Sequence, residues 1–247
     1  MSFKDHFSGH AAEYAQFRPR YPASLFVYLA NQAPTGDVAW DCATGNGQAA
    51  LGLAAHFQRV IATDASAPQI EAAERHERVD YLVAPAEQSG LPPSSVDVVS
   101  VAQALHWFDI PAFFAEAKRV LKPRGIIAVW AYTFLTVTPE TDQIVDDFYR
   151  VTTGPFWPPE RDLVERGYRD VRFPFHEIAA PQFEMEAHWR LEQVLGYLRT
   201  WSATKRFIAA RGFDPVDELG EELRDVWPDG ARSVRWPIHI RVGRAPA

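Results

Sequence analysis

At 247 residues, 47% hydrophobic and 23% charged, the chain has the make-up of a globular α/β domain rather than a disordered, collagenous or coiled-coil protein. Its formal net charge of −7 disfavours a broad phosphate-binding surface, so no nucleic-acid partner is expected. No signal-peptide pattern opens the sequence and no stretch approaches the ~18 apolar residues of a membrane span, so no membrane partner is expected either.

From Val38 onward, short β-rich runs alternate with helical patterns. Val38 to Cys42 reads as a first strand, followed by a glycine turn and a helix from Gln48 to His56. Arg59 to Thr63 is a second strand, with a helix from Ala67 to His76. Val79 to Val83 is a third strand, Val96 to Val101 a fourth and Ile126 to Trp130 a fifth. Between the last two, Phe113, Phe114, Ala117, Val120 and Leu121 recur at helical spacing up to a stop at Lys122-Pro123-Arg124-Gly125. This alternation predicts right-handed crossovers and a parallel sheet covered on both faces. Cys42 is the single cysteine, so neither an intramolecular disulfide nor a thiolate metal cluster can form, and a reducing cytoplasm is the expected compartment.

Beyond Tyr132 the pattern loosens. A helix is expected over Pro139–Val151 and an edge strand over Val171–Ile178, interrupted by Pro174. One or two amphipathic helices are expected over Trp189–Arg211. A closing strand is expected over Val234–Val242, trimmed at its start by Pro237. Gly154-Pro155-Phe156-Trp157-Pro158-Pro159 reads as a loop.

The informative run is Asp41-Cys42-Ala43-Thr44-Gly45-Asn46-Gly47, where the first strand hands over to the first helix. Small residues there let the backbone approach a ligand, and the following helix offers unpaired N–H groups. Gly45-Asn46-Gly47-Gln48-Ala49-Ala50 also fits the dinucleotide pattern G-x-G-x-x-G/A, so an NAD-dependent oxidoreductase is an alternative. Asp64, after the second strand, suits the ribose of either cofactor; as a plain turn residue it would cap the helix beginning at Ala67. The acid at Asp41 favours an amino group over a pyrophosphate. Glu87, in Ala84-Pro85-Ala86-Glu87, offers an acceptor for an adenine amino group after the third strand. The polar and aromatic cluster Gln103-Ala104-Leu105-His106-Trp107-Phe108-Asp109 follows the fourth.

These residues resemble the class I S-adenosylmethionine-dependent methyltransferases (type 11), nearest the branch with trans-aconitate methyltransferase-like proteins. The likeness rests on Asp41-x-Ala43-x-Gly45-x-Gly47, Asp64, Ala86-Glu87, Ala104-Leu105-His106-Trp107-Phe108 and Arg119-Val120-Leu121-Lys122-Pro123-x-Gly125. Arg18-Pro19-x-Tyr21-Pro22 and Tyr197-Leu198-Arg199-Thr200-Trp201-Ser202 add to it. Ala43 departs from the glycine common in that family. The resemblance implies a Rossmann-like doubly wound sheet of seven strands, order 3-2-1-4-5-7-6 with strand 7 antiparallel, plus helical cap elements. It implies one domain over 1–247: an N-terminal cap segment (1–36), a cofactor-binding core (37–135), acceptor-side cap and edge elements (136–232) and a closing strand (233–247). It also implies S-adenosylmethionine as cofactor. Asp41, Ala43, Gly45 and Gly47 would hold its methionine part, Asp64 and Ala65 its ribose and Ala86 and Glu87 its adenine. Gln103 and Ala104 would lie beneath its sulfonium, with Tyr14 and Arg18 closing over it.

The implied partner is a small-molecule acceptor, a carboxylate among the options, bound by a monomer or homodimer. Methyl transfer needs alignment more than a catalytic dyad, and orientation alone supplies ~7–11 kcal/mol. His106 is the candidate general base, and Trp107, Trp157 and Trp201 are candidates to line the acceptor cavity, each equally readable as a core residue. Arg199 is the candidate clamp on an acceptor carboxylate, with Arg18, Arg20, Lys205 and Arg206 nearby. A non-catalytic binder of the same fold is the other alternative. No compact metal-ligand spacing is seen, so no metal is expected.

Overall fold

The computed structural model describes residues 19–227 and 229–246. Five runs rich in β-branched and apolar residues pair in parallel as β1 (Val38–Cys42), β2 (Arg59–Asp64), β3 (Val79–Val83), β4 (Val96–Ala102) and β5 (Leu121–Tyr132). Helices α1 (Ala23–Gln32), α2 (Gln48–Ala54), α3 (Ala67–Ala72) and α4 (Ile110–Val120) precede or connect them. Successive residues of β5 serve opposite cores. Ile126, Ala128 and Trp130 join Leu25, Leu29 and Leu53 of α1 and α2, whereas Ile127, Val129 and Ala131 join Phe113, Phe114 and Ala117 of α4. A sheet covered on both faces needs apolar side chains at consecutive positions, which is why these strands show little polar alternation.

Three further strands complete the sheet: β6 (His176–Ile178), β7 (Phe183–Trp189) and β8 (Arg232–Arg244). The order is β3-β2-β1-β4-β5-β8-β6, with β8 antiparallel to β5 in the place the resemblance gives to a seventh strand. β7 also pairs with β8 and makes an eighth strand that the sequence reading missed. Its alternation was present: Phe183, Met185 and Trp189 are buried, and Glu184, Glu186 and His188 exposed. Trp189, expected to start a helix, instead closes this strand. The helices that follow are α7 (Leu191–Arg199), α8 (Ser202–Arg211) and a third, α9 (Pro215–Val226), which the sequence reading also missed and which Asp214 caps. Before them come α5 (Pro139–Asp147), which runs into a π-helical turn over Phe148–Thr152, and α6 (Arg161–Glu165).

Other boundaries move for identifiable reasons. The helix from Ala67 stops at Ala72 rather than His76, because the chain is drawn toward the glycine loop: Glu74 N–H bonds Asn46 O, and Tyr81 Oη donates to Glu74 O. β5 starts at Leu121 rather than Ile126, since Leu121 pairs with Val96 before the register shifts between Val96 and Val98. The expected strand over Val171–Ile178 survives only as β6, at the sheet edge beyond Pro174. β8 runs through Pro237 instead of starting after it. Arg235 exchanges both backbone bonds with Thr136, while the β5 ladder ends at Ile238, so Pro237 lies in a gap where a missing N–H breaks no bond. Among the described residues no helix is long and apolar enough to cross a membrane.

At the N-terminal end of the sheet, the fully buried Asp97 carboxylate accepts from Thr35 Oγ1 (2.7 Å), Val38 N–H (2.9 Å) and Lys122 Nζ (3.0 Å). This cluster ties the starts of β1, β4 and β5 together. Replacing Lys122 by Met leaves a buried carboxylate without its cation and is expected to lower stability by about 2–3 kcal/mol. Adding Asp97→Asn to that variant should recover part of the loss, both read from urea midpoints.

Candidate functional site

In a parallel sheet the loops after the strands gather at one edge, and the order reverses between β1 and β4, leaving a crevice there. Asp41, near the end of β1, is fully buried. Its carboxylate accepts from Thr44 Oγ1 at 2.6 Å and from Ser100 Oγ of β4 at 2.7 Å. Burial pushes its pKa up to about 6, against the pull of those two hydroxyls. Asp64, at the end of β2, accepts from Gly45 N–H (2.9 Å) and from Ser66 N–H (2.8 Å), so one carboxylate fastens the glycine loop to the loop after β2. The helix cap that sequence reasoning offered as a role for Asp64 falls to Ser66, whose hydroxyl accepts from Gln69 N–H; half-buried Ala65 lies between the two.

The loop is left-handed at several points. Gly47 has φ +91°, and a β-carbon there would run into the Tyr81 hydroxyl. Ala43 sits at φ +55°, where alanine costs roughly 1–2 kcal/mol more than glycine, which is the physical content of its departure from the family pattern. After β3, Ala86 is buried and the Glu87 carboxylate accepts from Asp109 N–H at 2.9 Å. After β4, Gln103 turns at φ +58° and its amide exchanges two bonds with the backbone of Tyr132, donating to the carbonyl and accepting from the N–H. Ala104 is buried beside it. Tyr14 and Arg18 lie outside the described residues.

Next to Gln103 a pocket opens between the sheet and the elements after β5. His106 and Trp107 line one side, and Trp157, Arg161, Tyr197 and Trp201 another. The three tryptophans singled out in the sequence thus share one cavity. They are also ring-packed: Trp157 and Trp201 have centroids 5.6 Å apart, and Tyr149 lies 4.8 Å from Trp157.

Two expectations need correcting on geometry. Arg199 does not line this pocket; its guanidinium is held by Asp214 (2.5 Å) and Asp217 (2.7 Å) at the start of α9, which disqualifies it as an acceptor clamp. His106 pairs through Nδ1 with Tyr168 Oη at 3.0 Å, and burial, with the nearby Arg161 charge, drives its pKa down to about 3. A side chain with so little proton affinity is a poor general base at neutral pH. Lys205 and Arg206 do not line the pocket either, and Arg206 donates to Phe156 O. The cation that does line it, Arg161, was missed. Its signal was a tryptophan four residues earlier, at a spacing that lets the guanidinium stack on the indole. Ser100, which holds Asp41 from β4, was missed because a hydroxyl's partner across a sheet leaves no local trace, whereas Thr44, three residues beyond Asp41 in the glycine loop, was within the run singled out in the sequence but was given no role.

Residues 40–129 match a family described as the methyltransferase domain. A Dictyostelium discoideum protein provisionally described as a methyltransferase is 33% identical over 90% of this chain and 86% of its own length. A solved structure from Anaeromyxobacter dehalogenans, provisionally described as a type II methyltransferase, is 48% identical with a TM-score of 0.88, covering 93% of this chain and 99% of that one. A Saccharomyces cerevisiae protein described, again provisionally, as an S-adenosylmethionine-dependent methyltransferase is 30% identical over 49% of this chain and 45% of its own.

The raised pKa of Asp41 has a sign that can be checked. An acid whose folded pKa exceeds its unfolded value stabilises the fold below about pH 4, and that contribution is lost as pH rises through about 6. Asp41→Asn keeps the size and the hydroxyl partners but removes the buried charge. Relative to wild type, the variant is expected to gain on the order of 2–3 kcal/mol between pH 4 and pH 8, seen as a melting-temperature difference that grows with pH.

Proposed function

The chain belongs to the class I, type 11 methyltransferase-domain family and is an S-adenosylmethionine-dependent methyltransferase; from that premise we propose that it methylates an enclosed small molecule in the aromatic pocket beside Gln103, without a protein base. The observation that carries the reading is the adjacency of two unlike halves. Asp41, Asp64 and Glu87 stand at the ends of β1, β2 and β3, and a pocket walled by Trp157, Tyr197 and Trp201 adjoins the end of β4. The ammonium, ribose hydroxyls and adenine amine of S-adenosylmethionine are all donors, which suits three carboxylates, groups that only accept when ionised. A dinucleotide pyrophosphate at the glycine loop would meet Asp41 and be repelled, whereas Asp64 suits the ribose of either cofactor.

On this reading Asp41, Ala43, Gly45 and Gly47 cradle the methionine portion. Asp64 and Ala65 hold the ribose, Ala86 and Glu87 border the adenine, and Gln103 and Ala104 floor the reacting end. S-adenosylmethionine supplies an electrophilic methyl group, and the bonding pair returns to sulfur as a neutral thioether leaves. What the chain contributes is alignment and dryness: Gln103 is fixed by Tyr132, and Trp107, Trp157 and Trp201 exclude water around the acceptor. His106 serves as a neutral wall residue, so the acceptor brings its own lone pair.

Calorimetry should show saturable binding of S-adenosylmethionine and none of NAD, with Asp64→Ala weakening the former by about tenfold or more because it loses a ribose acceptor and unties Gly45. Binding of NAD instead would falsify the assignment. For turnover on any acceptor found, His106→Gln is expected to keep the wild-type pH profile between about pH 6 and 9. Loss of a titration step in that window restores the base role.

A further inference from the structure

Within the proposed acceptor pocket one arginine differs from those that are ion-paired at the surface. Arg59, Arg119, Arg150, Arg166, Arg199 and Arg241 each lie against a carboxylate. Arg161 does not pair with one among the described residues; it lies over rings, its central carbon 4.8 Å from the centroid of Trp157 and 5.6 Å from that of Tyr149. Its Nε donates to Tyr149 Oη at 2.9 Å, and that hydroxyl donates in turn to the Glu165 carboxylate. Tyr149 is almost fully buried, so the hydroxyl that meets Arg161 is held in place, while Glu165 sits at the surface. Stacking and a single fixed N–H leave the terminal amino groups of the guanidinium as a pre-oriented fork.

The surroundings point the same way. No aspartate or glutamate is among the described residues lining the pocket. His106 carries no positive charge at neutral pH to share the role, its pKa being held low partly by Arg161 itself. Trp157 adds a buried indole N–H that has no partner among the described residues. A cation with its fork open, an unsatisfied donor and flat aromatic walls together describe a seat for an oxyanion on a planar or apolar body.

We propose that Arg161, held over Trp157 by the Tyr149–Glu165 relay, is the specificity residue that binds a carboxylate of the methyl acceptor, with Tyr149 as its positioning residue. The proposal rests on the reading that this pocket takes the acceptor. It names the substrate class as small carboxylic acids and transfers to Arg161 the clamp that the sequence alone placed on Arg199. An acid also brings its own negative charge, consistent with a site whose histidine has little affinity for a proton.

The test uses the full chain saturated with S-adenosylhomocysteine and two probes of one shape, benzoate and its neutral isostere benzamide, titrated by calorimetry or ligand-observed NMR. Wild type is expected to bind benzoate about tenfold or more tightly than benzamide. Arg161→Met should abolish that preference while leaving benzamide and S-adenosylhomocysteine affinities unchanged. Tyr149→Phe should weaken benzoate alone, by a smaller factor, and Arg161→Lys should restore part of the preference, guarding against a variant that merely misfolds. Benzoate that binds wild type no better than benzamide, or a preference that survives in Arg161→Met, overturns the proposal. A loss of S-adenosylhomocysteine affinity in Arg161→Met also overturns it, by assigning the arginine to the cofactor carboxylate. Failure of wild type to bind S-adenosylhomocysteine at all is a separate result, which sinks the reading of the site rather than the role of Arg161 within it.

Discussion

A buried carboxylate between two strands sets the geometry on which the rest of the site depends. Asp41 ends β1 with no exposure, and the hydroxyl of Ser100 reaches it from β4, across the point where the strand order reverses. Thr44 closes the same carboxylate from the loop side. With Asp41 so held, the glycine loop starts in one position, and Asp64 fastens it again through Gly45 N–H. The crevice at the switch point is therefore a rigid one, lined with acceptors rather than with mobile side chains.

Such rigidity has a thermodynamic cost that packing alone would not impose. A carboxylate withdrawn from water favours its neutral form, and Asp41 titrates near pH 6 in consequence. Asn at that position would serve the fold as well or better, so stability does not account for the acid. The same argument covers Ala43, Gln103 and Gly47, whose left-handed backbones cluster on the loops that end β1 and β4. At the opposite end of the sheet Asp97 is equally buried but paired with Lys122, and there a charge cluster does tie strands together.

The aromatic pocket beside Gln103 follows a different rule. It is assembled from α6, the turns before it and the junction of α7 and α8, elements far apart in sequence that meet because their aromatic residues bury one another. Charges there are sorted by their neighbours. Arg199 faces the acidic start of α9 and is neutralised, whereas Arg161 faces indole and phenol rings and keeps its hydrogen-bonding capacity. The arginine that the sequence singled out and the one that it passed over end in opposite surroundings because of what packs against them.

β1 to β4 were legible in the sequence almost to the residue, since short β-branched runs punctuated by turns mark parallel strands, and in β1 and β4, buried nearly throughout, those runs are almost unbroken. The sequence also placed Asp41, Gly45, Gly47, Asp64 and Glu87 at strand ends, because the end of a strand is a local property. Only the tertiary structure decided the rest. The pairing of β7 and the passage of β8 through Pro237 depend on which neighbour each backbone group meets, and a proline is harmless or disruptive according to whether it falls in a gap of the ladder to the adjacent strand. The low proton affinity of His106 comes from burial beside Arg161, 55 positions along the chain (161 − 106), and the capture of Arg199 comes from a helix the pattern did not reveal. Desolvation and charge pairing are set by everything within a few ångströms in space, and no window of sequence contains that list.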